Sequence, residues 1–174
     1  MTHIRTAAVA LSLSLALAAC ATAPSQTAVD LDFSGSNTQE NWNAGNAAYL
    51  TLNGAKRGWT TTESGLQYRR VGAAKPGGKQ PIATDTVKVH YRGTFVDGRE
   101  FDSSYSRNEP AEFPLNRVIK GWTEGVALMR EGETFEFVIP ASLGYGDRWV
   151  GGDDLPPNST LLFTVELLEV QTAP

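Results

Sequence analysis

Few side chains in this sequence can act as a nucleophile, a base or a metal ligand. There are two histidines, His3 and His90, and one cysteine, Cys20. His90 alternates out of a strand face and His3 falls in an N-terminal leader, so neither a histidine-based triad nor a zinc site can be assembled. One cysteine excludes an internal disulfide and a cysteine-rich metal site. Asp147, Asp153 and Asp154 miss the spacing of a calcium loop and read as a solvated turn. Gly144-Tyr145-Gly146 lacks the Lys-Ser/Thr pair and the further glycine of phosphate-binding fingerprints. No hydrolase signature remains. What is left is a set of aromatic residues placed beside turns: Tyr91, Phe101, Phe113, Trp122, Tyr145, Trp149 and Phe163. Those rings are either plain core or the lining of an apolar pocket, and their spacing alone does not separate the two.

The elements that must position them follow from periodicity. Val118, Trp122, Val126 and Met129 recur at helical spacing and predict one helix with a buried face. Gly121 and Gly125 each cost that helix about 1 kcal/mol of propensity relative to Ala, so a helix keeping both needs something packed close to its backbone. From Ser64 onward the pattern has period two. Leu66, Tyr68 and Arg70 predict one strand, and Val87, Val89 and Tyr91, alternating with Lys88, His90 and Arg92, predict the next across a Gly72–Pro81 loop. Asp97-Gly98 predicts a two-residue hairpin joining Thr94-Phe95-Val96 to Arg99-Glu100-Phe101. Phe135, Phe137 and Ile139 mark a further strand, as do Phe163, Val165 and Leu167. Several strands around one helix make an α+β domain in which an antiparallel sheet covers the helix's apolar face.

The N-terminal third is organised differently. His3 and Arg5 precede an apolar run from Ala7 to Ala19, the length of an export-signal core and too short to span a bilayer. Leu17-Ala18-Ala19-Cys20 resembles the lipobox of bacterial lipoproteins, which implies cleavage before Cys20 and lipidation of its thiol; ordinary secretion is the alternative. Ala21, where many inner-membrane lipoproteins carry Asp, points to the periplasmic face of the outer membrane. The expected division is a signal peptide over 1–19, a lipidated tether over 20–35, a short helical extension over 36–63, and the α+β domain over 64–174. In the extension, Ser36 with Gln39 fits a capping box, Asn53-Gly54 a stop, and Trp42, Tyr49 and Leu52 a shared face. The charge is −4, with 15 Lys and Arg against 19 Asp and Glu spread along the chain, so nucleic acid is not an expected partner.

Five segments carry a resemblance to a known family. Val89-His90-Tyr91-Arg92-Gly93, Phe101-Asp102-Ser103-Ser104, Val118-Ile119-Lys120-Gly121-Trp122, Gly144-Tyr145-Gly146 and Leu155-Pro156-Pro157-Asn158-Ser159-Thr160-Leu161 occur in the order of an FKBP-type peptidyl-prolyl isomerase domain. Thr61 to Tyr68 is similar to the lead-in of bacterial exported members. The resemblance implies a half-open antiparallel sheet wrapped around a short helix, with the substrate proline lying over Trp122. It further implies a pocket lined by Tyr91, Phe101, Phe113, Val118, Ile119, Leu155 and Phe163. Tyr145 would donate its hydroxyl to the substrate carbonyl, and Asp102 would be held by Tyr91 and Arg107 at the rim. By alternation alone each apolar residue is equally a core residue, and Asp102 with Arg107 equally a surface ion pair. The Ile119 N–H would be a second donor.

The implied partners are proline-containing polypeptides and macrolides such as rapamycin, with neither cofactor nor metal. Ala111 stands where many members carry Phe, so the pocket is expected to be more open there. The Asp147–Asp154 loop brings Trp149, which either replaces that wall, binds a client chain or shields the core. Residues 36–54 are too short for the dimerising helices of larger relatives, and a monomer is expected. An enzyme of periplasmic protein folding is the first functional reading; a non-catalytic binding module with the same fold is the second.

Overall fold

The computed structural model describes residues 38–152 and 154–172; the expected signal peptide, Cys20, the tether and Ser36 lie outside them. Seven strands form one antiparallel sheet: β1 (Thr60–Thr61), β2 (Gln67–Val71), β3 (Thr86–Thr94), β4 (Glu100–Ser103), β5 (Ala111–Pro114), β6 (Thr134–Ile139) and β7 (Leu161–Gln171). Their order is β1-β2-β6-β7-β3-β4, with β5 pairing alongside the first half of β3. Helix α1 spans Gln39–Gly54 and helix α2 spans Lys120–Val126. The sheet is the one the period-two pattern predicts. In β3, Val87, Val89 and Tyr91 are buried while Lys88, His90 and Arg92 face outward, and in β6 and β7 the alternation carries Phe135, Phe137, Ile139, Phe163, Val165 and Leu167 to the core.

β3 organises the sheet. One edge pairs with β7 along its whole length; the other is shared, β5 against Thr86–Val89 and β4 against Arg92–Thr94. Bulges between Lys88 and Val89 and between Gly93 and Thr94 interrupt these ladders. Such insertions bend a strand and increase its twist, which lets the sheet curl partly around α2.

Helix α2 meets the sheet backbone-first. A Cβ at Gly121 would come within 2.5 Å of Ile139, and one at Gly125 within 2.7 Å of Phe137, so both glycines are required by the close approach of β6. Trp122 and Val126 are buried beside them, and Met129 is fully buried just beyond the helix. Val118 differs from expectation: it is extended and precedes the helix, following a 3-10 turn at Leu115–Arg117. The Thr123 hydroxyl donates to the Leu115 carbonyl at 2.7 Å and ties this entry to the helix.

Three local expectations are corrected. The α1 N-cap is Thr38, whose hydroxyl accepts from the Asn41 N–H at 3.3 Å; Gln39 is already helical, and its side chain turns to Asn43 and the Pro157 carbonyl. Leu52 is 41% exposed, and the buried α1 residues are Asn46 and Asn53, because this helix docks through amide hydrogen bonds. The hairpin after β3 has a three-residue loop. The Phe95 carbonyl accepts from the Gly98 N–H at 3.0 Å and the Phe95 N–H donates to the Arg99 carbonyl at 2.9 Å, with Gly98 at φ +87°. Asp97 stabilises it by accepting from the Arg99 N–H at 3.0 Å.

Candidate active site

The expected site residues converge. Trp122, on α2, is enclosed edge-to-face by Tyr91 from β3 at 5.2 Å between ring centroids, Phe163 from β7 at 5.3 Å and Phe113 from β5 at 5.8 Å. Phe101 from β4 stands perpendicular to Phe163 at 5.5 Å. Edge-to-face pairs place the positive edge of one ring against the negative face of the next and contribute roughly 0.5–1.5 kcal/mol each beyond area burial. Val118, Ile119, Leu155 and Tyr145 pack against the same cluster. The indole N–H of Trp122 is buried without an acceptor among the described residues, so this side chain contributes its ring rather than a hydrogen bond. Gly93 makes the arrangement sterically possible, since a Cβ there would fall within 2.8 Å of both Phe101 and Phe163.

One side of the cluster is polar. The Tyr91 hydroxyl donates to Asp102 at 2.5 Å, and Arg107 donates to Asp102 at 2.5 Å and to the Tyr91 oxygen at 2.9 Å. Burial alone would raise the Asp102 pKa; the hydrogen bonds from Tyr91 and Arg107 outweigh it and hold the carboxyl below its ordinary value. Burial and the Asp102 hydrogen bond push the Tyr91 pKa up.

Tyr145 is half-buried, and its hydroxyl has no partner among the described residues. Burial, then the charge of Asp102, raises its pKa, so the group remains a protonated donor at neutral pH. The N–H of Ile119, at the α2 N-cap, also has no acceptor among the described residues; helix N-termini leave such donors unused. Tyr145 and Ile119, both packed against the ring cluster, thus each keep a donor unused among the described residues, and Asp102 supplies a fixed carboxylate.

Residues outside the expected pocket set support it. Phe95 backs Phe101 at 5.0 Å and in turn meets Trp42 of α1 at 5.6 Å. Ser104 is fully buried, accepts from the Tyr91 N–H at 2.8 Å and lies 3.0 Å from His90 Nδ1; the His90 ring stacks on Tyr105 at 4.7 Å. His90 is thereby a structural anchor of the loop that carries Arg107. A strand-like alternation in Thr94-Phe95-Val96 was the only signal for Phe95. Trp149 is 52% exposed and immediately precedes the Val150–Leu155 bridge. Ala111 pairs with Val89 in β5 and is half-buried against the core.

Aromatic rings from β3, β4, β5 and β7 thus gather around Trp122, with the Asp102 cluster along one side. Residues 77–168 match the family model described as FKBP-type peptidyl-prolyl cis-trans isomerase, and the chain belongs to that family. It is 53% identical over 124 residues to the FKBP-type peptidyl-prolyl cis-trans isomerase FkpA of Aeromonas hydrophila, covering 71% of this chain and 44% of that one. It is 44% identical over 126 residues to the outer membrane protein MIP of Legionella longbeachae, covering 72% of this chain and 53% of that one. The crystal structure of FkpA from Escherichia coli superposes with a TM-score of 0.72 at 44% identity, covering 78% of this chain and 62% of that one. The chain spans about half the length of the curated relatives it matches.

Proposed function

We propose that the protein is a peptidyl-prolyl cis-trans isomerase acting on X-Pro bonds of exported polypeptides, with Trp122 as the floor on which the proline ring rests. The observation that carries this is the enclosure of Trp122 by Tyr91, Phe113 and Phe163, with Tyr145 and Ile119 packed on the same cluster and their hydroxyl and N–H without a partner among the described residues. Phe101, Val118 and Leu155 complete the walls. Asp102, pinned by Tyr91 and Arg107, sets the polar side on which the substrate backbone lies.

Rotating an X-Pro amide through 90° breaks its resonance against a barrier of roughly 18–20 kcal/mol. No bond to the protein is required. The planar amide has the more polar carbonyl and is favoured by water, so an aromatic pocket disfavours it relative to the twisted state. A millionfold acceleration needs about 8 kcal/mol of stabilisation realised only in the twisted state. Equal grip on both states would lower KM and leave kcat unchanged, so shape fit to the twisted amide and the Tyr145 hydrogen bond have to supply the difference. Retention of both donors and the polar clamp beside the ring floor favours the enzyme over a non-catalytic binding module.

The protein is further proposed to be an outer-membrane lipoprotein anchored through Cys20, facing the periplasm as a monomer. Support comes from the Leu17–Cys20 lipobox and from a relative whose name is outer membrane protein MIP. No helix among the described residues is long and apolar enough to cross a membrane. Fatty-acid labelling abolished by Cys20→Ser tests the anchor. The activity is tested by a proline-isomerisation assay on chain starting after Cys20, across peptides with different residues before Pro, with and without rapamycin. Turnover blocked by the macrolide is expected; a folded protein with no turnover on any peptide makes it a binding module.

A further inference from the structure

Helix α1 lies outside the 77–168 segment that matches the family model, yet its side chains reach the segment that walls the pocket. Between Leu155 and β7 the chain runs Pro156-Pro157-Asn158-Ser159-Thr160. Two prolines remove two N–H donors and Asn158 sits at φ +61°, so this segment cannot join the sheet and its remaining polar groups need other partners. Three come from α1. Gln39 Nε2 donates to the Pro157 carbonyl at 2.9 Å, Trp42 Nε1 to the Ser159 hydroxyl oxygen at 3.2 Å, and Asn46 Oδ1 accepts from the Thr160 N–H at 2.6 Å. Asn46 is itself locked, its Nδ2 donating to the Trp42 carbonyl at 2.8 Å. The central contact is dry: Asn46 is 3% and Thr160 1% exposed.

From this segment the contacts lead to Tyr145. The Asn158 N–H donates to the Gly146 carbonyl at 2.8 Å, and Gly144 lies against Leu161, the residue after Thr160. Tyr145 is thus held on both sides by chain that α1 braces. A second path runs from Trp42 through Phe95 to Phe101, at centroid distances of 5.6 and 5.0 Å. The far end of α1 is fixed independently, Asn53 Nδ2 donating to Gln67 Oε1 at 2.9 Å and Gln67 Nε2 to the Leu50 carbonyl at 2.8 Å.

We propose that α1 is a positioning element of the isomerase site, in which Asn46, Trp42 and Gln39 set the placement of the Pro156–Thr160 segment and through it the Tyr145 hydroxyl and Leu155. This rests on the isomerase reading above. Tyr145 acts only where its hydroxyl meets the twisted carbonyl, so loosening its support lowers kcat more than it raises KM.

The test is a double-mutant cycle on the full chain, pairing Asn46→Leu with Tyr145→Phe, read as kcat and KM for a proline peptide. One hydrogen bond is worth about fivefold. Asn46→Leu is expected to lower kcat about fivefold with KM little changed, and Tyr145→Phe, about fivefold in the parent, is expected to cost less than twofold in the Asn46→Leu background. Amide exchange at Asn158 and Thr160 should accelerate in the same variant. If Asn46→Leu fails to fold, Trp42→Phe combined with Gln39→Ala replaces it in the cycle; it keeps the ring against Phe95 and removes two of the three bonds. Additive effects, or an unchanged kcat in a folded variant, overturn the inference. An inactive parent chain sinks the isomerase reading instead.

Discussion

Helices α1 and α2 are both fixed to this domain, by opposite means. α2 is seven residues long and is held because two of them have no side chain: Gly121 and Gly125 let Ile139 and Phe137 touch its backbone, and Trp122 and Val126 fill the space between. α1 is sixteen residues long, and its buried positions are the asparagines Asn46 and Asn53. Apolar contact is non-directional and its strength follows area; an amide hydrogen bond fixes one donor against one acceptor and contributes only about 1 kcal/mol net. The short helix therefore carries the larger share of stability, together with the floor proposed for the pocket. The long one sets geometry at the pocket's edge, at small thermodynamic weight.

That contrast can be broken in order of effect. Trp122→Ala should cost about 3–5 kcal/mol of stability, as truncation of a buried aromatic does, and remove most isomerase turnover; urea denaturation and the peptide assay read the two, and unchanged turnover would exclude Trp122 as the floor. Gly125→Ala places a methyl 2.7 Å from Phe137 and should cost about 1–3 kcal/mol, whereas an alanine in the exposed position of Gly77, where a Cβ meets nothing within 4 Å, should show no such contact penalty. A similar loss at both positions would show that close approach is not what fixes α2. Tyr145→Phe removes one donor and should lower kcat/KM by about fivefold while leaving the denaturation midpoint in place.

The smallest effects are in pH. The Tyr145 hydroxyl titrates above the ordinary tyrosine value of about 10, so kcat/KM should be flat up to about pH 9; a fall centred near pH 8 would remove Tyr145 as the donor. Asp102 titrates below its ordinary value because Tyr91 and Arg107 stabilise the carboxylate. Its share of stability is therefore present above the unfolded value near 4 and is lost as pH falls through the lower folded value. Asp102→Asn should flatten the acid limb of the stability profile below pH ~4 and lower the neutral plateau by that share.

The burial of the rings was legible from the sequence because local patterns carry it, while their reading as a pocket came from the family resemblance. Tyr91 follows Val87 and Val89 at period two, Phe163 heads another alternating run, and the Gly121 and Gly125 pair announced a backbone in close contact before Ile139 and Phe137 were seen to make it. α1 was misread on one face for a physical reason. Beside Trp42, its docking surface is made of asparagine and glutamine side chains whose partners, Thr160, Pro157 and Gln67, are distant in sequence, so no apolar periodicity records it. β5 was not anticipated, because a four-residue strand, Ala-Glu-Phe-Pro, has too few alternations to register, and only its pairing with β3 makes it one.

By itself the sequence determined the period of β2, β3, β6 and β7, the buried face and close approach of α2, and the lack of histidines for a triad, since these depend on residue type and on neighbours a few positions away. Only the tertiary structure decided which rings surround Trp122, how β4 and β5 divide one edge of β3, and that Asn46 holds Thr160. Those are pairings between segments tens of residues apart, and what selects among them is whether rings interlock and buried amides all find partners at once.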